Sequence, residues 1–425
     1  MKKGESFPVN NFNEFRIKML DWVKPFNIFC LLDNQQYNFN QPAFECLLAA
    51  GCKQRLEAAA GNAFSALKDF YNEHKGWMFG HFGYDLKNET EQLSSSNFDG
   101  MGFADMHFFV PEIVLQLNEK NITIFCDGDA ESIFNAIESS LIKEEKQHEI
   151  FAIQTRIEKT DYINTVKKIQ QHILRGDCYE LNFCQEFFAQ PVAINPIAVY
   201  QKLTQISPNP FSSLYKVEDK YCICASPERY LKKNGNKIFS QPIKGTSRRN
   251  LQDEKLDEEN KLHLLNSDKE KSENVMVVDL VRNDLSKICK EATVKVDELF
   301  GIYSFPQVHQ MISTISGEIK DGLHWTDAVK NTFPMGSMTG APKKRVMELI
   351  EQYEQTKRGL FSGSIGYINP DSDFDFNVVI RSILYNATSK YLSFQTGGAI
   401  TFYSDALEEY NECLLKAEAI KKVLQ

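Results

Sequence analysis

The sequence lacks any apolar run near the roughly 18 residues needed to cross a bilayer. No apolar stretch follows the two lysines of Met1-Lys-Lys-Gly-Glu-Ser-Phe-Pro8. Neither a membrane span nor a signal peptide is therefore expected, and the expected location is cytoplasmic. A basic surplus is also missing: 48 Lys plus Arg stand against 57 Asp plus Glu, a net charge of −9. With no long Lys/Arg run either, this balance argues against a protein that lives on phosphate backbones, and no nucleic acid partner is expected. Cysteine occurs ten times, but no pair has the spacing of metal ligands. The closest pair, Cys222 and Cys224, is spaced as same-face neighbours on a strand. The thiols read as reduced and mostly buried. Internal repeats and low-complexity linkers are absent.

What remains is a globular composition. The chain has 425 residues, of which 42 % are hydrophobic and 25 % charged. That length suits two or three domain-sized units and a large core without staples. The charged, aperiodic run 143–149 is the best boundary candidate. Apolar spacing predicts helices over 62–75, 132–142, 162–174, 253–276, 342–354 and 405–423. It predicts strands over 77–84, 179–188, 213–217, 221–225, 308–319, 363–368, 377–385 and 392–397, with 110–117 and 122–126 forming a hairpin. Many consecutive strands are joined by turns too short for a crossover helix, so the sheets should be largely antiparallel. The expected class is α+β, with helices covering sheets.

Chemistry is concentrated in the last 250 or so residues. Gly245-Thr246, Gly340-Ala341-Pro342 and Gly397-Gly398 are turns where glycine permits close backbone approach and leaves amides for an anion. Pro342 fits the first position of a helix, so the amides of 339–343 are candidates for a carboxylate. Glu409, Glu412 and Lys416 are three and four apart and share one helical face; Glu270 and Glu273 repeat the three-residue spacing. Carboxylates from two helices suit Mg²⁺, and solvated helices with i,i+4 ion pairs would carry the same pattern. Lys244, in Gln241-Pro-Ile-Lys-Gly-Thr246, is a nucleophile if burial lowers its pKa and an exposed turn lysine otherwise. The acidic run 253–259 reads as a solvated face.

These segments, taken together, resemble one family. Ser226-Pro-Glu-Arg229, Gln241-Pro-Ile-Lys-Gly-Thr246, ENVMVVDLVRND at 273–284, GSMTGAPK at 336–343, Gly363-Ser-Ile-Gly-Tyr367 and the face Glu409 to Lys416 follow in order over 161–424. They resemble the chorismate-utilising enzymes, which include anthranilate synthase component I, aminodeoxychorismate synthase component I, isochorismate synthase and salicylate synthase. Leu31-Leu32-Asp33 and Gly80-His-Phe-Gly-Tyr-Asp85 resemble segments of the family's N-terminal subdomain. The resemblance implies two largely antiparallel sheets packed as a sandwich with helices outside. It also implies an N-terminal subdomain over 1–145 and a chorismate-binding catalytic domain over 155–425.

The residue before Gly-Thr sorts the members: alanine in anthranilate synthases and the isochorismate branch, typically lysine in the aminodeoxychorismate branch. Lys244 therefore implies covalent amination of chorismate on the route to p-aminobenzoate and folate. The amine attacks C2, the 4-hydroxyl leaves with allylic shift, and ammonia adds at C4 and expels the lysine. Conversion to anthranilate and pyruvate is the alternative. An attacking lysine must be neutral, so a depressed Lys244 pKa is expected. Glu228 matches the general acid/base that protonates the departing hydroxyl, which calls for a raised pKa in a dry site. Glu273 and Glu412 match Mg²⁺ ligands, and Glu270 and Glu409 the outer acidic pair. Arg381 matches the arginine that holds the enolpyruvyl carboxylate, Thr246, Gly397, Gly398 and Ala399 match substrate-contacting positions, and Lys416 a cation near the ring carboxylate.

Three positions depart from the family pattern. Glu180, in Cys178-Tyr-Glu-Leu-Asn182, stands where water-adding members carry lysine and amine-using members usually glutamine. Gln310 stands where a histidine is frequent, with His309 one residue earlier on the opposite face of a regular strand. Asn34 replaces the serine of the tryptophan-sensing segment, so tryptophan inhibition is not expected. None of the cysteines lies in a Gly-x-Cys-x-Gly elbow, Cys178 coming nearest, so the resemblance implies a separate glutaminase subunit that supplies the ammonia.

Overall fold

The computed structural model describes residues 3–37, 44–141, 150–305 and 308–425. The proposed boundary run 143–149 lies outside them. Hydrophobic side chains on both faces of the strands force the chain into layers. Strands Ile28–Asp33 and Cys46–Ala50 are buried at every position, as expected for strands covered on both sides. Their unbroken apolar runs show no alternation, which is why periodicity did not single them out.

Two sheets result, and every ladder described is antiparallel. The larger, of 12 strands, runs through Glu5–Pro8, Asn121–Cys126, Ile113–Leu117, Cys46–Ala50, Ile28–Asp33, Phe211–Val217, Lys220–Ser226, Ser382–Asn386, Tyr391–Ile400, Glu180–Ala189 and Gly340–Ala341, with Gln154–Thr155 beside Glu180–Ala189. The smaller, of 10 strands, runs through Ile243–Arg248, Val308–Glu318, Lys237–Gln241, Arg229–Asn234, Phe374–Asn377, Ser364–Ile368, Met78–Phe82, Met106–Val110 and Gln54–Ala58, with Lys295–Ser304 against Val308–Glu318.

Both sheets are continuous across the N-terminal and C-terminal parts: Asp33 pairs with Ser212 and Gly80 with Gly366. Between the sheets lie Phe79, Phe109, Tyr215, Cys222, Cys224 and Tyr367, each burying apolar area worth about 25 cal/mol per Å². Helices Lys159–Leu174, Pro196–Ile206 and Ala406–Leu424 contribute to the core on the larger sheet's outer face; Ala63–Glu73, Asp268–Ile288 and Trp325–Thr332 do so on the smaller. Among the described residues no helix is long and apolar enough to cross a membrane.

Several elements differ from the expectation. The helix expected over 253–276 is two helices, Glu254–Asn266 and Asp268–Ile288. Ser267 breaks it with an extended backbone, and its hydroxyl accepts from the Glu270 amide at 3.3 Å as the cap of the second. The strand expected over 377–385 is also two, because 378–381 carries the chain from the smaller sheet to the larger. Pro342 caps helix Lys343–Tyr353 rather than opening it. The helix expected over 132–142 spans Ala130–Glu138 behind an Asp129 cap.

Candidate active site

Two sheet-to-sheet crossovers build the floor of the site. One, 226–229, leaves the larger sheet after Lys220–Ser226 and carries Glu228; the other, 378–381, carries Arg381. They run side by side, the Val378 amide donating to Glu228 O at 3.0 Å and the Ala225 amide to Arg381 O at 3.2 Å. Arg381 sits at φ +50, a left-handed conformation that costs a non-glycine residue energy and persists only where its surroundings enforce it.

Glycines bring the remaining elements to this floor. Strand Tyr391–Ile400 lies against Glu180–Ala189, with Gly397 opposite Cys184, Gly398 opposite Phe183 and Ala399 opposite Asn182. A Cβ on Gly397 would stand 2.0 Å from Phe183 O; one on Gly398 would stand 2.9 Å from Glu409 Oε2 and 3.9 Å from Lys416 Nζ. Gly245, at φ +93, lies equally close to the other acidic helix, its Cβ position 3.0 Å from Glu270 Oε2. The strands thus touch both acid-bearing helices with no side chain between. Gly340 and Ala341 pair with Leu181 and Glu180, so part of the backbone expected to receive an anion is taken up in a ladder.

Lys244 and Glu180 meet in the middle. Nζ of Lys244 donates to Glu180 Oε1 at 2.9 Å, and the two side chains are only 12 % and 3 % exposed. Burial alone would lower the lysine's pKa, but the carboxylates of Glu180, Glu273 and Glu228 outweigh it and hold the ammonium above its ordinary value. The expectation of a depressed Lys244 pKa is therefore corrected: the resting lysine is an ion-paired cation. Glu228 follows its expectation. Burial raises it to about 7, against the opposing pull of Ser337, Lys244, the Ile243 backbone and Arg381. Arg381 is lowered by burial, offset in part by Glu228 and Tyr37.

The four helix-borne acids form the rim. Glu273 is raised to about 7 and Glu270 and Glu409 are raised less, in each case mainly by burial. Ser404 donates to Glu409 Oε1 at 2.8 Å. Glu412 is held below the usual range by Lys416, whose Nζ lies 2.8 Å from Glu412 Oε1 and donates to Gly397 O at 2.9 Å. As the side chains stand, no three His, Cys, Asp or Glu groups among the described residues converge to hold a metal ion. The donor chemistry nevertheless fits a hard divalent cation: carboxylate oxygens on two helices, three of the four acids raised chiefly by burial.

Lys269 was not singled out from sequence. It lies 4.0 Å from Glu273, and its charge acts on all four acids; its i,i+4 spacing to Glu273 was the available signal. Thr246 is exposed and pairs in register with Gln310, which is buried with Oε1 unpartnered. His309 is held elsewhere, by Asp257 at 3.1 Å and Ser304 at 2.8 Å. Asn34 is occupied by its own loop, donating to Phe44 O and accepting from the Gln36 amide. All ten cysteines are free.

The chain matches the family described as chorismate binding enzyme over residues 28–422. It is 31 % identical over 376 residues to aminodeoxychorismate synthase component 1 of Bacillus subtilis (strain 168), covering 84 % of this chain and 78 % of that protein. It is 33 % identical over 398 residues to the probable chloroplastic aminodeoxychorismate synthase of Oryza sativa subsp. japonica, covering 84 % of this chain and 44 % of that protein, so it spans less than half of the rice relative. Among solved structures, anthranilate synthase component I from Streptococcus pneumoniae TIGR4 aligns with a TM-score of 0.78 at 25 % identity, covering 91 % of this chain and 94 % of that one.

Proposed function

The chain belongs to the chorismate-binding enzyme family, and from that premise we propose that it is the synthase component that converts chorismate and ammonia to 4-amino-4-deoxychorismate. The observation that carries this reading is a largely covered lysine, Lys244, within electrostatic reach of a buried carboxyl, Glu228, poised near neutrality. Two displacements replace one difficult exchange. The Lys244 amine forms a bond to C2, and the C4–O bond breaks as Glu228 delivers its proton, so that the hydroxyl leaves as water. Ammonia then bonds to C4, the C2–N bond breaks, and the surplus proton returns to Glu228.

The other residues hold the dianion in place. Arg381, on the crossover beside Glu228, receives the enolpyruvyl carboxylate. Thr246, Gly397, Gly398 and Ala399 line the bound ring, and Lys416 supplies positive charge near the ring carboxylate. Glu273 and Glu412 would hold Mg²⁺, with Glu270 and Glu409 as the outer pair. Such a cation would neutralise the ring carboxylate against the acidic rim. Glu412 must leave Lys416 to take that part.

A separate glutaminase supplies the ammonia in this reading, the protein works in the cytoplasm, and its product serves p-aminobenzoate and folate synthesis. Residues 1–145 act as the N-terminal subdomain and 155–425 as the chorismate-binding domain.

Peptide mass mapping tests the covalent step. Protein quenched after mixing with chorismate and Mg²⁺ without ammonium should carry chorismate less one water on Lys244. Lys244→Ala should carry none; an adduct of equal yield in that variant refutes the assignment.

A further inference from the structure

We infer that Glu180 is the proton acceptor of the Lys244 amine, a further catalytic residue of the amination proposed above, on which this inference rests. An ammonium has no lone pair, so Lys244 must lose a proton before it can bond to carbon. The hydrogen bond described for its Nζ runs to Glu180 Oε1, at 2.9 Å. That carboxylate is built for more than neutralising charge. Glu180 is buried, and its second oxygen, Oε2, has no hydrogen-bond partner. A buried carboxylate with one oxygen unpartnered is costly unless something else is delivered to it.

The backbone holds Glu180 firmly. Ala341 pairs with it on one side, and the strand's other edge is in register with Ala399 at Asn182. The backbone that carries the carboxylate is therefore paired along both edges of the strand. The other acids have other work or lie further out. Glu228 must keep its own proton for the departing hydroxyl. Glu273 and Glu270 face the lysine from helix Asp268–Ile288 and Glu412 from helix Ala406–Leu424, as long-range charges. The cation Arg381 faces Glu228.

The protons balance. One passes from Nζ to Glu180, leaving a neutral amine and a carboxylic acid. The amine forms the C2–N bond while Glu228 protonates the leaving hydroxyl. Ammonia then displaces the lysine, which departs as a neutral amine, and the new C4 ammonium returns a proton to Glu228. Glu180 finally returns its own proton to Lys244. Exclusion of water by a bound substrate favours the first transfer, because a dry site disfavours both charges of the ion pair at once.

Glu180→Gln separates the acceptor from a plain counter-ion, because the two roles move two measurements in opposite directions. Carbamylation of Lys244 by cyanate, followed against pH, should show its midpoint shifted down in the variant, since a negative charge has gone. Formation of the Lys244 adduct at neutral pH, from chorismate and Mg²⁺ without ammonium, should slow by about tenfold or more. Glu180→Asp, which keeps a carboxylate, should recover part of that rate. An unshifted cyanate midpoint overturns the pair and with it the inference. Adduct formation as fast in Glu180→Gln as in the wild type overturns the acceptor role alone. Amination by the wild type with no adduct at any time overturns the covalent reading and the acceptor role together, while the cyanate midpoint still reports the pair.

Discussion

Glu228 carries a measurable cost at the scale of single residues. Its pKa is about 7 when folded, against 4.5 for a free side chain. The folded state therefore holds a proton that the unfolded chain releases, and stability falls as pH rises from about 4.5 to 7, then levels off. For a fully buried group the loss is on the order of 3 kcal/mol. Glu228→Gln should accordingly be more stable than the wild type at pH 8 in urea denaturation, with the gap closing toward pH 4.5. Its turnover should fall by about a hundredfold or more, because the leaving hydroxyl has lost its acid. A variant no more stable at pH 8 than the parent would mean that the carboxyl is not dry. Glu228 and Lys244 were legible in the sequence because short motifs carry them. The sign of the lysine's shift was not, since it depends on Glu180, 64 positions away, and no local pattern reports that contact.

Closeness of backbone decides function at the scale of elements. Gly397 and Gly398 are neighbours in one strand, yet a side chain on each would meet a different obstacle. On Gly397 it meets Phe183 O, a backbone atom that cannot yield; on Gly398 it meets the movable carboxylate of Glu409. Gly397→Ala should therefore destabilise the fold by about 1–3 kcal/mol in thermal melts. Gly398→Ala should melt near the wild type and instead raise the Mg²⁺ concentration needed for half-maximal activity. Equal melting points for the two variants would contradict this division. The helix break at Ser267 belongs to the same scale. It sets the first turn of helix Asp268–Ile288 so that Glu270 and Glu273 face the strand of Lys244, and Ser267→Ala should cost about 1 kcal/mol. Helical spacing revealed the acids, but not this break, because neither glycine nor proline marks it in 253–276. The strand read over 377–385 failed for a related reason: apolar residues stand on both sides of Arg381 and Ser382, so the pattern resumes while the chain changes sheets.

The whole molecule is tied together by hydrogen bonds that ignore the expected boundary. Strand Ile28–Asp33 pairs with Phe211–Val217, and Met78–Phe82 pairs with Ser364–Ile368. Residues 155–425 produced alone would expose both of those strand edges and the aromatic layer between the sheets. Such a fragment should lack a cooperative melt and near-ultraviolet dichroism, whereas a fragment melting like the full chain would make the N-terminal part dispensable. Antiparallel layering was legible from short turns, but the sharing of both sheets was not, because sequence order does not report which distant strands pair. The proposed reaction aminates chorismate and keeps its enolpyruvyl side chain. The most direct measurement is product mass after purified protein meets chorismate, Mg²⁺ and concentrated ammonium at mildly alkaline pH without glutaminase. A product that retains the enolpyruvyl group and yields p-aminobenzoate with a lyase is the predicted result; anthranilate with free pyruvate would contradict it.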